Sequence, residues 1–92
     1  MMKLYTLNNN AHVVIGNTNL FHLFSYDSEV LVYNPRDNGI TVYTNIANYS
    51  QTTKKHIRMF CDKFLDDLEV VPAILDPKKS CKDYKILHII NE

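Results

Sequence analysis

Lys54, Lys55 and Arg58 open a segment, Tyr49–Leu65 (YSQTTKKHIRMFCDKFL), that closes among Asp62, Asp66 and Asp67. In a helix this charge order opposes the macrodipole, which favours acids at the start and bases at the end. A helix start offers free N–H groups and partial positive charge. With the hydroxyls of Ser50, Thr52 and Thr53 beside three cations, it could hold a phosphate, a nucleic-acid backbone or an acidic protein patch. The plainer alternative makes the hydroxyls caps and the bases a solvated face, with Arg58 paired to Asp62 at i+4 for about 0.3–0.5 kcal/mol.

The remaining chemistry-bearing residues are dispersed. His12, His22, His56 and His88 show no H-x-x-x-H or His–carboxylate spacing for a metal. His56 is expected in a hydrogen-bonded packing role, and His22 and His88 sit in apolar strand segments where they could pair across a sheet. Cys61 falls on an apolar helix stripe and is expected to be inert. Cys81 has Lys78, Lys79 and Lys82 nearby but no base to activate it. No nucleophile elbow, Walker loop or dinucleotide-binding glycine pattern occurs, and two glycines are too few to build one. Asp62, Asp66, Asp67 and Glu69 read as solubilising charges at a helix end. The expectation is a protein that is no enzyme and carries no metal or cofactor.

Aromatic residues offer a second kind of site. Tyr33 and Tyr43 would be cross-strand neighbours in a hairpin whose turn carries Arg36, on a face suited to protein contact or to base stacking. Arg36 is the one cation there, so the electrostatic funnel expected for a nucleic acid is missing. Ten Lys and Arg balance ten Asp and Glu over the 92 residues. Neutrality argues against a protein devoted to coating nucleic acid or an anionic membrane, while leaving room for a local basic patch. Apolar runs are too short to span a bilayer, and MMKLYTLNNN is too weak for a secretory signal. Cysteines outside any C-x-x-C pair fit a reduced, intracellular setting.

The elements that must position these residues follow from hydrophobic period. Lys3–Leu7 and His12–Gly16 read as strands around the Asn8–Asn10 loop. Leu20–Tyr26 alternates, with Phe21, Leu23 and Ser25 on one face and Leu20, His22, Phe24 and Tyr26 on the other. Glu29–Tyr33 and Ile40–Thr44 form a hairpin across NPRDNG, where Pro35 presets its φ and Asn38-Gly39 tolerates positive φ. From Ser50 the period becomes helical. Ile57, Phe60, Cys61, Phe64 and Leu68 make one stripe, with Lys55, Met59, Asp62 and Asp66 opposite, and Ser50 or Thr52 as cap. Pro72 limits Leu68–Leu75 to an edge strand or extended connection. Asp76-Pro77 begins a short turn or loop before a strand at Tyr84–Ile90. The fold class is α+β, residues 1–92 forming a single domain: a small antiparallel sheet of about four to five strands packed by one main amphipathic helix, about 51–67.

SYDSEV, followed further along by YSQTTKKHIRMF, resembles a family of short uncharacterised phage and prophage proteins that carry S-Y-x-T-x-V and then Y-S-x-T-T-x-x-H-I-x-x-F. Ser25, Tyr26, Val30, Tyr49, Ser50, Thr52, Thr53, His56, Ile57 and Phe60 match, and Ser28 stands where Thr is commoner. The resemblance covers Asn19 to Leu65 and implies no catalytic residue. It implies a small accessory protein that works in the host cytoplasm by binding and blocking a host protein, such as a CRISPR-type defence nuclease. The candidate interaction residues are Lys54, Lys55, Arg58, Asp62, Asp66, Tyr33, Tyr43 and Arg36. The alternative is a small nucleic-acid-binding module using the basic helix start. No membrane partner is expected, and a homodimer is compatible with the chain.

Overall fold

Residues 2–43 and 51–89 are described by the computed structural model. The alternation of the first half folds into β1 (Lys3–Asn8), β2 (Ala11–Ile15), β3 (Phe21–Ser25), β4 (Ser28–Asn34) and β5 (Gly39–Tyr43), each antiparallel to the one before. Short polar side chains close the turns. Arg36 N–H donates to Asn34 Oδ1 (3.0 Å), and Gly39 N–H donates to Asp37 Oδ1 (2.8 Å) while Asn38 takes φ 55°. A Cβ at position 39 would lie 2.7 Å from Asp37 Oδ1, so a larger residue there would have to displace the carboxylate that accepts the residue-39 N–H.

The sheet has six strands and is mixed. β6 (Lys85–Ile89) runs parallel to β5, from Gly39↔Lys85 to Tyr43↔Ile89. A parallel neighbour needs a crossover connection, and the helical segment supplies it. The Leu68–Leu75 stretch is not extended as expected: Val71–Leu75 forms a short helix, α2, with Pro72 in its first turn. There the missing proline N–H costs nothing, because first-turn N–H groups have no intrahelical partner anyway.

The main helix comprises α1 (Gln51–Phe60) and a π-helical turn (Cys61–Leu65). It ends at Asp66 in the left-handed region (φ 50°), where the N–H groups of Asp66 and Asp67 both reach the Cys61 carbonyl. Thr53, His56, Ile57, Phe60 and Cys61 are buried against the sheet. The wider π turn alters the helical phase beyond Cys61. Phe64 is half-buried, stacked on Phe60 (5.3 Å) and edge-on to Tyr5 and Phe21. Leu68, expected in the buried stripe, is instead 49% exposed. Together with Val13, Leu23, Leu31, Ile40, Val42 and Ile74, the inward helix residues make one core. Full burial of a side chain such as Ile57 or Phe60 stabilises by roughly 1.5–3 kcal/mol.

Inside that apolar contact lies a polar link. His56 and Ser25 are 0% and 3% exposed, and Thr53 is buried beside them. His56 Nδ1 is 2.8 Å from Ser25 Oγ, which is 3.1 Å from Thr53 Oγ1. His56 Nε2 has no partner among the described residues. The tautomer with Nδ1–H donating to Ser25, and Ser25 donating onward to Thr53, leaves an acceptor at Nε2 unpaired. That costs less than an orphaned N–H donor. Tyr26, also left-handed at φ 57°, places its ring 5.9 Å from the imidazole. The expected hydrogen-bonded packing role of His56 is thus observed. Thr52 stands in the first turn, and Thr44, Tyr49, Ser50 and Ile90 lie outside the described residues, so the cap expected at Ser50 does too.

Burial, followed by the nearby Lys55 charge, lowers the His56 pKa from its ordinary value of 6.5. The unfolded chain therefore takes up a proton near pH 6.5 that the folded chain refuses. Stability is complete above that pH and declines below it until the folded pKa is reached, at no more than about 1.4 kcal/mol per pH unit. In urea unfolding at about pH 7.5 and about pH 5.5, His56→Asn should reduce the acid loss seen in the wild type; an unchanged loss contradicts this assignment. Ser25→Ala removes the hydroxyl that buried His56 meets and should cost about 1–3 kcal/mol at neutral pH in the same measurement.

Candidate functional site

With its inner side fixed to the sheet, α1 presents Lys55, Arg58 and Asp62 to solvent, with Met59 half-buried between them. These four residues and Leu68 line an open groove of about 480 Å³. A second groove of about 480 Å³ shares Arg58 and Leu68 and continues along α2 past Pro72 and Leu75 to Asp76 and Lys79. The two form one trough between the helices. Leu68, Pro72 and Leu75 give it an apolar floor. Lys55, Arg58 and Lys79 stand on its rim with Asp62 and Asp76. The ion pair expected between Arg58 and Asp62 is not formed; among the described residues the one salt bridge is His22–Glu29. The π turn begins between the two residues and displaces Asp62 from the i+4 position of a regular helix. Arg58 is thereby available to a ligand.

Only part of the predicted set comes together. Lys55, Arg58 and Asp62 share the trough; Lys54, half-buried, does not line it. Asp66 serves as the left-handed end of the helix. Arg36 is exposed in the β4–β5 turn. Tyr33 and Tyr43 are not cross-strand neighbours. Tyr33 pairs with Ile40, and Tyr43, three residues further on, lies on the opposite sheet face. Tyr33 packs edge-on to Phe21 and against Tyr84, and burial raises its pKa. Tyr43 is raised by burial first and then by the charge and hydrogen bond of Glu29. Thr53, grouped with the anion-binding hydroxyls, points into the core towards Ser25.

The histidines also separate. His22 Nδ1 pairs with Glu29 Oε2 at 3.0 Å on one face of the sheet, whereas His88 Nε2 meets the Ile74 carbonyl at 3.1 Å on the other. They do not pair across the sheet as expected, because β6 joins at β5 and runs parallel to it. Among the described residues no group of three His, Cys, Asp or Glu is placed to hold a metal ion. Burial pushes the Cys61 thiol up to about 12, which keeps it protonated and unreactive at neutral pH. Ser25 and His56 have the contact of a nucleophile and its base, but both are closed off from solvent.

A separate groove of about 620 Å³ near the β1 edge combines Lys3 and Lys63 with Tyr5, Phe21 and Phe64. Its rings pack edge-on against Phe64, and Lys63 lies 5.9 Å above that ring. Sequence periodicity missed Leu68, Pro72, Leu75 and Lys79 as site residues. The signal available was a proline five residues after Asp67 at an aspartate-rich helix end, which fits a second helix start as well as a broken strand.

No curated protein and no solved structure matches the chain. Ser25, Val30, Thr53, His56, Ile57 and Phe60, all quoted above for their motif, are buried, so packing accounts for that part of the pattern. Residues 2–71 carry β1 to β5, α1 and the π turn; they match the model of a family of unknown function (DUF8033), and the chain belongs to that family.

Proposed function

We propose that the protein is a non-catalytic binding module that seats a segment of a partner protein in the trough between α1 and α2. The observation that carries this reading is an exposed apolar residue, Leu68, set between Lys55 and Arg58, cations that have no ion-pair partner among the described residues. The complementary segment has an apolar side chain for the floor and carboxylates for the rim. The resemblance to phage and prophage proteins supports a cytoplasmic host protein as the partner, with a defence nuclease of the CRISPR type as the first candidate. No helix among the described residues is long and apolar enough to cross a membrane. The second reading, nucleic-acid binding, draws support from the lysines and rings of the β1-edge groove, not from the helix start.

Capture from host-cell lysate separates these readings. A protein retained by the immobilised wild type after nuclease treatment, lost with Lys55→Glu/Arg58→Glu and kept with Lys54→Glu, is the expected result. Loss on nuclease treatment, with binding that falls steeply as salt rises, would favour nucleic acid and overturn the protein-partner reading. Charge reversal should not harm the fold. Lys55→Glu places an acid near the helix start and should raise thermal stability by a few tenths of a kcal/mol. A clear loss of melting temperature would mean that Lys55 serves the fold and not a partner.

A further inference from the structure

β1 ends the sheet: it pairs with β2 on one side, and no described strand pairs with it on the other. The N–H and C=O groups that an edge strand turns away from its neighbour can template a further strand. Lys3, Leu4, Tyr5 and Thr6 are all exposed, so this edge is open to solvent. Proteins commonly guard such an edge with proline or a bulge. β1 has no proline, and its register is regular from Lys3 to Thr6; the irregularity lies further on, between Thr6 and Asn8.

The same edge borders the groove of about 620 Å³. Tyr5 packs on Phe64, which puts Tyr5 and therefore Lys3, two residues before it, on the helical side of the sheet. Lys3 heads a cross-strand row with Ile15 and Phe21, and all three line the groove. The π turn adds Lys63 beside Phe64. No carboxylate lines the groove, and neither lysine has an ion-pair partner among the described residues. An unpaired backbone edge thus runs alongside a groove of unmatched positive charge.

We propose that the β1 edge accepts an extended acidic segment of another protein as an added strand. Main-chain hydrogen bonds to β1 supply its affinity, and alternate side chains entering the groove supply its specificity. An added strand lies ~4.8 Å from β1, and its same-side residues recur every ~6.6 Å, so two of them face Lys3 and Tyr5 in turn. A carboxylate suits the first position and an apolar side chain the second. The exposed backbone favours a peptide over a nucleic acid, which has no ladder of N–H and C=O groups at strand spacing. Two lysines also neutralise few phosphates. The groove shares no lining residue with the α1–α2 trough, so this assignment stands or falls independently of what the trough binds.

Fluorescence anisotropy with a labelled peptide, Thr-Glu-Thr-Val-Thr-Glu-Thr, tests the assignment. Saturable binding is expected, weakened about tenfold or more by Lys3→Glu/Lys63→Glu and unchanged by Lys55→Glu/Arg58→Glu. N-methylation of one alternate set of peptide amides should abolish binding, while methylation of the other set should leave it intact, because a strand turns only every second N–H towards β1. This comparison needs no variant, so it holds even where charge reversal harms the fold. No binding at millimolar peptide overturns the proposal. Equal effects of the two methylated forms leave charge attraction alone and overturn strand addition. Loss with Lys55→Glu/Arg58→Glu would place the peptide in the trough, and displacement by oligothymidylate at lower concentration would assign the groove to nucleic acid; either result overturns it.

Discussion

One buried contact sets the position of everything else: His56 of α1 bonded to Ser25 of β3, with Thr53 as the third member. Apolar contacts such as those of Ile57 and Phe60 are non-directional and tolerate more than one docking of a helix on a sheet. A buried imidazole is less tolerant. Moving α1 by one turn, about 5.4 Å, would pull His56 and Thr53 away from Ser25 in the buried interior. The link thus selects one register for the helix, and the helix register decides which residues face solvent. Lys55, Arg58 and Leu68 line the trough because His56, Thr53 and Ile57 are committed to the interior.

Two further features follow from that placement. The π turn after Phe60 keeps Cys61 and Phe64 packed inward, and the left-handed Asp66 then ends the helix, so Leu68 lies beyond it and faces outward as an apolar floor for the trough. The crossover through α2 then brings β6 beside β5 in parallel. Since α1, the π turn and α2 all lie on one side, no described element covers the second side of the sheet. The molecule therefore has two surfaces of different chemistry on opposite sides: a cation-rimmed trough, and a sheet face where Leu4 and Leu87 stand in one row with His22 and Thr41.

Much of this was legible in the sequence wherever the signal is local. The meander, the Asn34–Gly39 turn and the main helix follow from period and turn chemistry, and Lys55, Arg58 and Asp62 follow from the helix's outward positions. What escaped was non-local or broke the period. Val30 and Leu31 are both buried because a bulge leaves Val30 without a strand partner, between Phe24↔Glu29 and Leu23↔Leu31. Tyr33 and Tyr43 lie on opposite faces because Tyr33 pairs with Ile40, three residues before Tyr43. β6 was foreseen as a strand, but its neighbour and direction depend on the crossover and cannot be read from its own residues. Pro72 suits a strand edge or a helix's first turn equally well, and the packing of Val71 and Ile74 into the core decides for the helix.

Native-state amide hydrogen exchange tests the central constraint most directly, because it reads whether α1 is fixed to the sheet or merely rests on it. If the Ser25–His56–Thr53 link sets the helix register, amides of Ile57 to Cys61 should exchange with the same opening free energy as those of Leu23 and Leu31. In Ser25→Ala the helix amides should then lose protection before the strands do. Helix amides that exchange much faster than the strands in the wild type, or protection that Ser25→Ala leaves unchanged, would contradict the account.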